Sequence, residues 1–313
     1  MTQPSGVLLK KPDPPDGYLD FWQRAVQEAD STPLEVWREH RAGDNTASHK
    51  VERLSLQSSD SSLRLHGWYA VPHKANPPFD GLLWLPGYGL GGQVPVNEIT
   101  AHPGIATLSI NLHGLEPDDY RDYSPADGYL TQGIESPDTY VFRRLVIDSI
   151  RALNALSEQP ETNPGLLFVG GLSQGAGLAL HLAAFAPKMP AVIADMPFMT
   201  YWKYLLGVPA LRYPLKELND YIGGDEKRRK AVLETVAYFE TVNAAPHIQA
   251  PVQLSMGARD PSIRTPVAMS LYDALSCPKR MIVYEKHGHE FVPDEMPRYL
   301  REWVALTRLS KPR

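Results

Sequence analysis

Three side chains in this sequence have the types and order needed for covalent attack on an acyl carbon. Ser173 lies in Gly171-Leu172-Ser173-Gln174-Gly175, Asp260 follows Gly257-Ala258-Arg259, and His289 ends His287-Gly288-His289 just before Glu290. A serine hydroxyl is a weak nucleophile until an imidazole takes its proton, and a carboxylate must hold that imidazole in the right tautomer. The spacing around Ser173 is G-x-S-x-G, a sharp strand-to-helix turn that exposes a nucleophile. Glycines on either side leave room for the strained backbone that such a turn imposes on the serine. The N–H of Gln174, at the start of the following helix, is then placed to face an oxyanion.

A second oxyanion donor is expected from the glycine-rich loop Pro86-Gly87-Tyr88-Gly89-Leu90-Gly91-Gly92. Pro86 has no N–H, which leaves Gly87, Tyr88 or Gly89. Two histidines compete for the role of base, His289 being the expected one and His287 the alternative. The pair at i, i+2 with Glu290 could also hold a metal, although two imidazoles at that spacing are thin evidence and no metal is expected. Cys277, the one cysteine, excludes an internal disulfide and a cysteine-based metal site; beside Pro278 it reads as an inert thiol.

These residues need strands to carry them. Leu166–Val169 is an apolar run leading into the serine turn, and a small-residue helix starts after it. Gly81–Leu85, Ile105–Ile110, Ala191–Asp195, Val252–Met256 and Arg280–Tyr284 read as further buried strands. Val51–Leu56 and Leu63–Val71 alternate with period two and predict an antiparallel hairpin. Helices are predicted near 17–29, 139–157, 265–275 and 294–308 from the spacing of their apolar residues. Strands alternating with helices imply crossover connections and a mostly parallel sheet. Residues 1–16 read as an extended arm, residues 30–50 as a polar link, and 111–133 as a surface loop. The stretch 196–246 breaks the rhythm with prolines and many aromatics. It reads as a helical, cap-like insertion over the active site, with Phe198 and Trp202 as pocket residues. The expected organisation is thus one α/β domain over 1–313, with an N-terminal arm and helix in 1–50.

The order Ser173, Asp260, His289, each after a predicted strand, is that of the α/β-hydrolase fold. A net charge of −5 argues against nucleic acid or an anionic membrane as the main partner. Hydrophobic residues at 43% suffice for a sizeable core. Met1–Gly6 lacks the basic start and apolar stretch of a signal peptide, and no run is long enough to span a bilayer, so a soluble cytoplasmic protein is expected.

The chain resembles the acetyl xylan esterase and cephalosporin C deacetylase family of α/β-hydrolases over roughly 17–305. The likeness is carried by Asp20-Phe21-Trp22, Gly87-Tyr88, Tyr140-Val141-Phe142-Arg143-Arg144 with Asp148, Gly171–Leu180, Asp195-Met196-Pro197-Phe198, Asp260 and His287-Gly288-His289-Glu290. The resemblance implies hydrolysis of short acyl esters, chiefly acetyl groups on sugars and xylo-oligosaccharides, without a cofactor. It also implies Ser173, Asp260 and His289 as the triad, with the amides of Tyr88 and Gln174 as the oxyanion hole. A small acetylated ester is the expected partner, within a homo-oligomer of the hexameric kind in which active sites face an internal cavity. One departure stands out: where the family carries Arg-Gly-Gln-Gly, this chain has His113-Gly114-Leu115-Glu116. Two other readings stay open, a broad short-chain carboxylesterase or lactone- or amide-cleaving hydrolase, and a catalytically silent binding protein on the same fold.

Overall fold

The computed structural model describes residues 8–73, 76–89, 104–116, 128–186, 191–207 and 213–310. The expectations for Met1–Gly6, for Leu90–Gly92 of the glycine loop, for 117–127 and for Pro209 therefore lie outside the described residues.

After the helix α1 (Tyr18–Ser31) come β1 (Trp37–His40), β2 (His49–Gln57), β3 (Arg64–Pro72), β4 (Phe79–Leu85) and β5 (Ile105–Asn111). Then follow α2 (Val141–Ser157), β6 (Thr162–Leu172), α3 (Gln174–Phe185) and β7 (Ala191–Asp195). The insertion holds α4 (Trp202–Leu205), α5 (Leu215–Ile222), α6 (Glu226–Val236) and α7 (Thr241–Ala244). The chain closes with β8 (Val252–Gly257), α8 (Thr265–Ala274), β9 (Lys279–Tyr284) and α9 (Met296–Ser310). All strands join one sheet in the order β1-β2-β3-β5-β4-β6-β7-β8-β9. From β5 to β9 the pairs are parallel, while β1, β2 and β3 pair antiparallel and β3 meets β5 antiparallel.

Alternation along β4 shows how the layers form. Leu83 and Leu85 join the large core beneath α1, α2 and α3, whereas Leu82 and Trp84 join a second core with Leu300, Trp303 and Val304 of α9. Helices thus cover both faces, which is why β5, β7 and β8 are buried along their whole length. The architecture is the α/β-hydrolase fold expected from the alternating strands and helices. Because β4, β6, β8 and β9 run in the same direction, the turns that follow them collect at one edge of the sheet. Among the described residues no helix is long and apolar enough to cross a membrane.

One local expectation changes. Part of the polar link is an edge strand, β1, paired through Trp37 and Ser55; four residues with half their side chains exposed show too little alternation to read. The polar side of α2 is in part buried. Arg151 is fully buried and donates to the carbonyls of Ala29, Thr32, Pro33 and Gln57, while Asp148 accepts from the Ser58 hydroxyl and the Ser59 N–H. These bonds tie the end of α1 and the β2–β3 turn onto α2, and each buried polar group is compensated by a partner.

His181 of α3 is buried against Trp22, with ring centroids 5.1 Å apart, and its Nδ1 lies 2.9 Å from the Gly177 carbonyl. Its Nε2 has no partner, so burial pushes the imidazole down to about 4. A base depressed in the folded state contributes stability that is fully present above its unfolded pKa of about 6.5 and is lost progressively as pH falls from there to the folded value. Urea midpoints at pH 6 and pH 5 should therefore show the wild type losing about 1 kcal/mol more than His181→Leu. Equal losses in the two proteins would mean that His181 is not held neutral.

Candidate active site

Ser173 sits between β6 and α3 with φ 56° and ψ −111°. A non-glycine residue there costs on the order of 1–3 kcal/mol and persists only when its surroundings hold it. Its N–H donates to the Asp195 carbonyl at 2.8 Å, and its carbonyl accepts from Phe198 N–H and Gly177 N–H, both at 3.0 Å. The glycines make the turn possible. A Cβ on Gly175 would lie 2.2 Å from the Leu85 carbonyl oxygen, and one on Gly171 would lie 2.6 Å from the Gly175 carbonyl carbon. A Cβ on Gly177 would lie 2.6 Å from the Phe198 carbonyl. No side chain fits at any of the three without moving backbone.

Asp260 and His289 reach the serine from the ends of β8 and β9. The two turns meet backbone to backbone, since a Cβ on Gly257 would stand 2.1 Å from the Gly288 carbonyl oxygen. Asp260 Oδ1 accepts from the N–H groups of Ser262 and Ile263 at 2.7 and 2.8 Å. That leaves Oδ2 aimed at His289 Nδ1, 2.6 Å away. His289 Nε2 lies 2.9 Å from Ser173 Oγ. The carboxylate is wholly enclosed while the imidazole stays 19% exposed, which suits an acid that orients and a base that exchanges protons with substrate. His287 is not part of this chain: its Nδ1 pairs with Glu290 Oε1 at 3.0 Å, and Glu290 also accepts from Gly288 N–H. The His-x-His-Glu run thus divides: His289 bridges Asp260 and Ser173, while His287 pairs with Glu290 within the loop. No cluster of three or more metal-ligating side chains forms among the described residues.

The loop that carries Tyr88 meets the serine turn at Gly175, where a Cβ would lie 2.8 Å from the Pro86 carbonyl oxygen, and Gln174 follows Ser173 directly. Gln174 is the first residue of α3, so its N–H has no helical acceptor. Tyr88 follows β4, whose register with β6 brings Leu85 opposite Gly171. The Tyr88 hydroxyl donates to Glu217 of α5, so the insertion reaches the loop beside Ser173. Gly89 N–H donates to the Tyr129 hydroxyl at 3.1 Å, and that hydroxyl donates to Gln174 Oε1 at 2.8 Å.

The side chains of Phe198 and Trp202, expected in a substrate pocket, are instead packed in the core. They are 2% and 0% exposed and meet edge to face at 4.9 Å, while the Trp202 indole N–H points to the Phe239 carbonyl. The apolar character that suggested a pocket wall here serves burial. Glu240 holds this region by accepting from Tyr201 N–H and Trp202 N–H at 2.6 and 2.8 Å; burial raises its carboxyl to about 8. The expected surface loop also turns inward, since Tyr129 and Leu130 are buried. Their aromatic–aliphatic pairing before Gly133 was the available signal. In the His113-Gly114-Leu115-Glu116 turn, Asn111 Oδ1 accepts from His113 N–H and Leu115 N–H. Gly114 has φ 77°, and a Cβ there would lie 2.3 Å from Leu63 Cδ1. The glycine is the residue this turn requires.

The acetyl xylan esterase family matches residues 10–305. The chain belongs to that family. An acetyl esterase of Xylanibacter ruminicola is 25% identical over 294 residues, 88% of this chain but 63% of that protein's length. Among solved structures, an acetyl xylan esterase from a Paenibacillus species superposes with a TM-score of 0.84 at 24% identity, covering 94% of this chain and 96% of the other. Acetyl Xylan Esterase 1 from a Thermoanaerobacterium species gives 0.82 at 19% identity, covering 95% of each. These two likenesses show the fold.

The geometry separates the two histidines. His289→Ala is expected to lower kcat on p-nitrophenyl acetate by about 10⁴-fold, whereas His287→Ala should stay within about threefold, as a surface loop change does. The opposite ranking would move the base to His287.

Proposed function

We propose that the protein removes acetyl groups from acetylated sugars, xylo-oligosaccharides among them, through an acetyl-Ser173 intermediate. The observation that carries this is the continuous Asp260–His289–Ser173 relay, at 2.6 and 2.9 Å, in a chain of the acetyl xylan esterase family.

Ser173 Oγ attacks the acetyl carbonyl carbon while His289 Nε2 takes the hydroxyl proton. The carbonyl oxygen becomes an oxyanion, and the N–H groups of Tyr88 and Gln174 stabilise it. Asp260 stabilises the imidazolium through Nδ1–H without becoming protonated. As the tetrahedral intermediate collapses, the C–O bond to the sugar breaks and the departing oxygen takes the proton from Nε2. Water then attacks the acetyl-serine, His289 takes its proton, and a second collapse returns that proton to Ser173 Oγ and releases acetate. Each oxyanion donor contributes about 10²–10³-fold in rate, because it is fixed before charge develops.

The acyl-length profile tests the substrate class. kcat/KM should fall steeply from acetyl to butyryl to octanoyl p-nitrophenyl esters, with acetate released from peracetylated xylose. A flat profile without acetate release from the sugar would mean a generalist carboxylesterase on this scaffold. Ser173→Ala should remove turnover while leaving the unfolding transition in place, and undiminished turnover in that variant would end the serine mechanism.

A further inference from the structure

One hydroxyl bonds to both segments that would face the oxyanion, to the backbone N–H of Gly89 in one and to the side-chain amide of Gln174 in the other. Tyr129 is 1% exposed, accepts from Gly89 N–H at 3.1 Å and donates to Gln174 Oε1 at 2.8 Å. If the two ends of the amide exchange places, Gln174 Nε2–H donates to the same hydroxyl, so the bridge holds in either orientation. The Tyr129 ring packs against the Tyr88 ring at 4.7 Å and the His113 ring at 4.3 Å. His113 stays neutral against it, burial pushing its imidazole down to about 3.

The need for such a brace comes from the loop itself. Tyr88 lies between Gly87 and Gly89, and Gly89 has φ 138°, a conformation that restrains the chain little on its own. An oxyanion hole accelerates a reaction only so far as its donors are already aimed when charge develops. Tyr88 is held at two points: its side chain reaches Glu217, and the peptide following it is anchored on Tyr129 through Gly89 N–H. The same Tyr129 hydroxyl grips Gln174, which carries the other donor.

We propose that Tyr129 is a positioning residue that fixes the spacing and aim of the Tyr88 and Gln174 N–H groups, acting on the reaction through them without touching the substrate. This rests on the serine esterase function proposed above.

Tyr129→Phe removes the hydroxyl and keeps the ring. With p-nitrophenyl acetate, kcat should fall about ten- to a hundredfold, less than the loss of a whole donor, while KM stays within about threefold. A boronic acid that forms a tetrahedral adduct on Ser173 places an oxygen where the oxyanion forms. Its inhibition constant should rise by the same factor as kcat/KM falls, and the midpoint of the pH–rate profile should not move, because His289 and Asp260 are untouched. A general loosening of the fold would instead raise KM and the boronate constant without this match. Tyr129→Phe with kcat within twofold of wild type, or with its loss confined to KM, overturns the proposal. Gln174→Met cuts the bridge from the other end and keeps the backbone N–H, so it tests the same contact by the same readouts if Tyr129→Phe does not fold. The double variant should lose no more than the worse single one; fully additive losses would also overturn the bridge. Wild-type activity that survives Ser173→Ala removes the underlying esterase mechanism. An inactive Ser173→Ala beside an unimpaired Tyr129→Phe removes the bridge alone.

Discussion

The backbone of Ser173, held at φ 56° between β6 and α3, is the constraint on which the rest of the site depends. It lifts the hydroxyl out of the sheet edge and points it toward the turn after β9. That conformation is possible only because Gly171, Gly175 and Gly177 let three backbone segments touch, at Leu85, within the turn and at Phe198. The β4 strand must therefore lie beside β6, and the Met196–Met199 corner must fold back over α3. The first follows from the order of the parallel strands, and the second is held by the Phe198 N–H bond to the Ser173 carbonyl. The loop after β4 is then brought beside the serine whatever its own sequence prefers.

A second close approach places the hydrogen-bonded chain Asp260–His289–Ser173. Gly257 and Gly288 meet with no side chain between them, so the turns after β8 and β9 are locked in register. Asp260 commits one carboxylate oxygen to two local N–H groups and keeps the other for His289. The imidazole, carrying only partial exposure, spans from that carboxylate to the hydroxyl. The relay is thus assembled by backbone packing at two glycine-rich contacts, and its side chains need no adjustment to meet.

What could be read from the sequence follows from the range of each signal. Strand runs, helical spacing and the G-x-S-x-G turn are local patterns, and they led to the sheet, the turn at Ser173 and the order of Asp260 and His289. The choice of His289 over His287 was open because both lie in one short loop, and only the seam at Gly257 and Gly288 decides which imidazole faces Ser173. The burial of Arg151 and Asp148 was unreadable because the partners that enclose them, in Ala29–Pro33 and Gln57–Ser59, lie 89 or more residues away. Phe198 and Trp202 misled for the opposite reason, since an aromatic stretch looks the same whether it lines a pocket or fills a core. Tyr129 and Glu217 had no local signal beyond one buried-looking pair and one helix charge, because their role exists only where α5 and the turn before α2 meet the loop after β4.

The most direct measurement is of where the acyl group resides during turnover. Rapid acid quenching of the protein with p-nitrophenyl acetate, followed by peptide mass analysis, should find one acetyl group on Ser173 that disappears as the substrate is exhausted. Turnover at the same rate with no acetyl on Ser173, or with the acetyl on another side chain, would contradict Ser173 as the nucleophile.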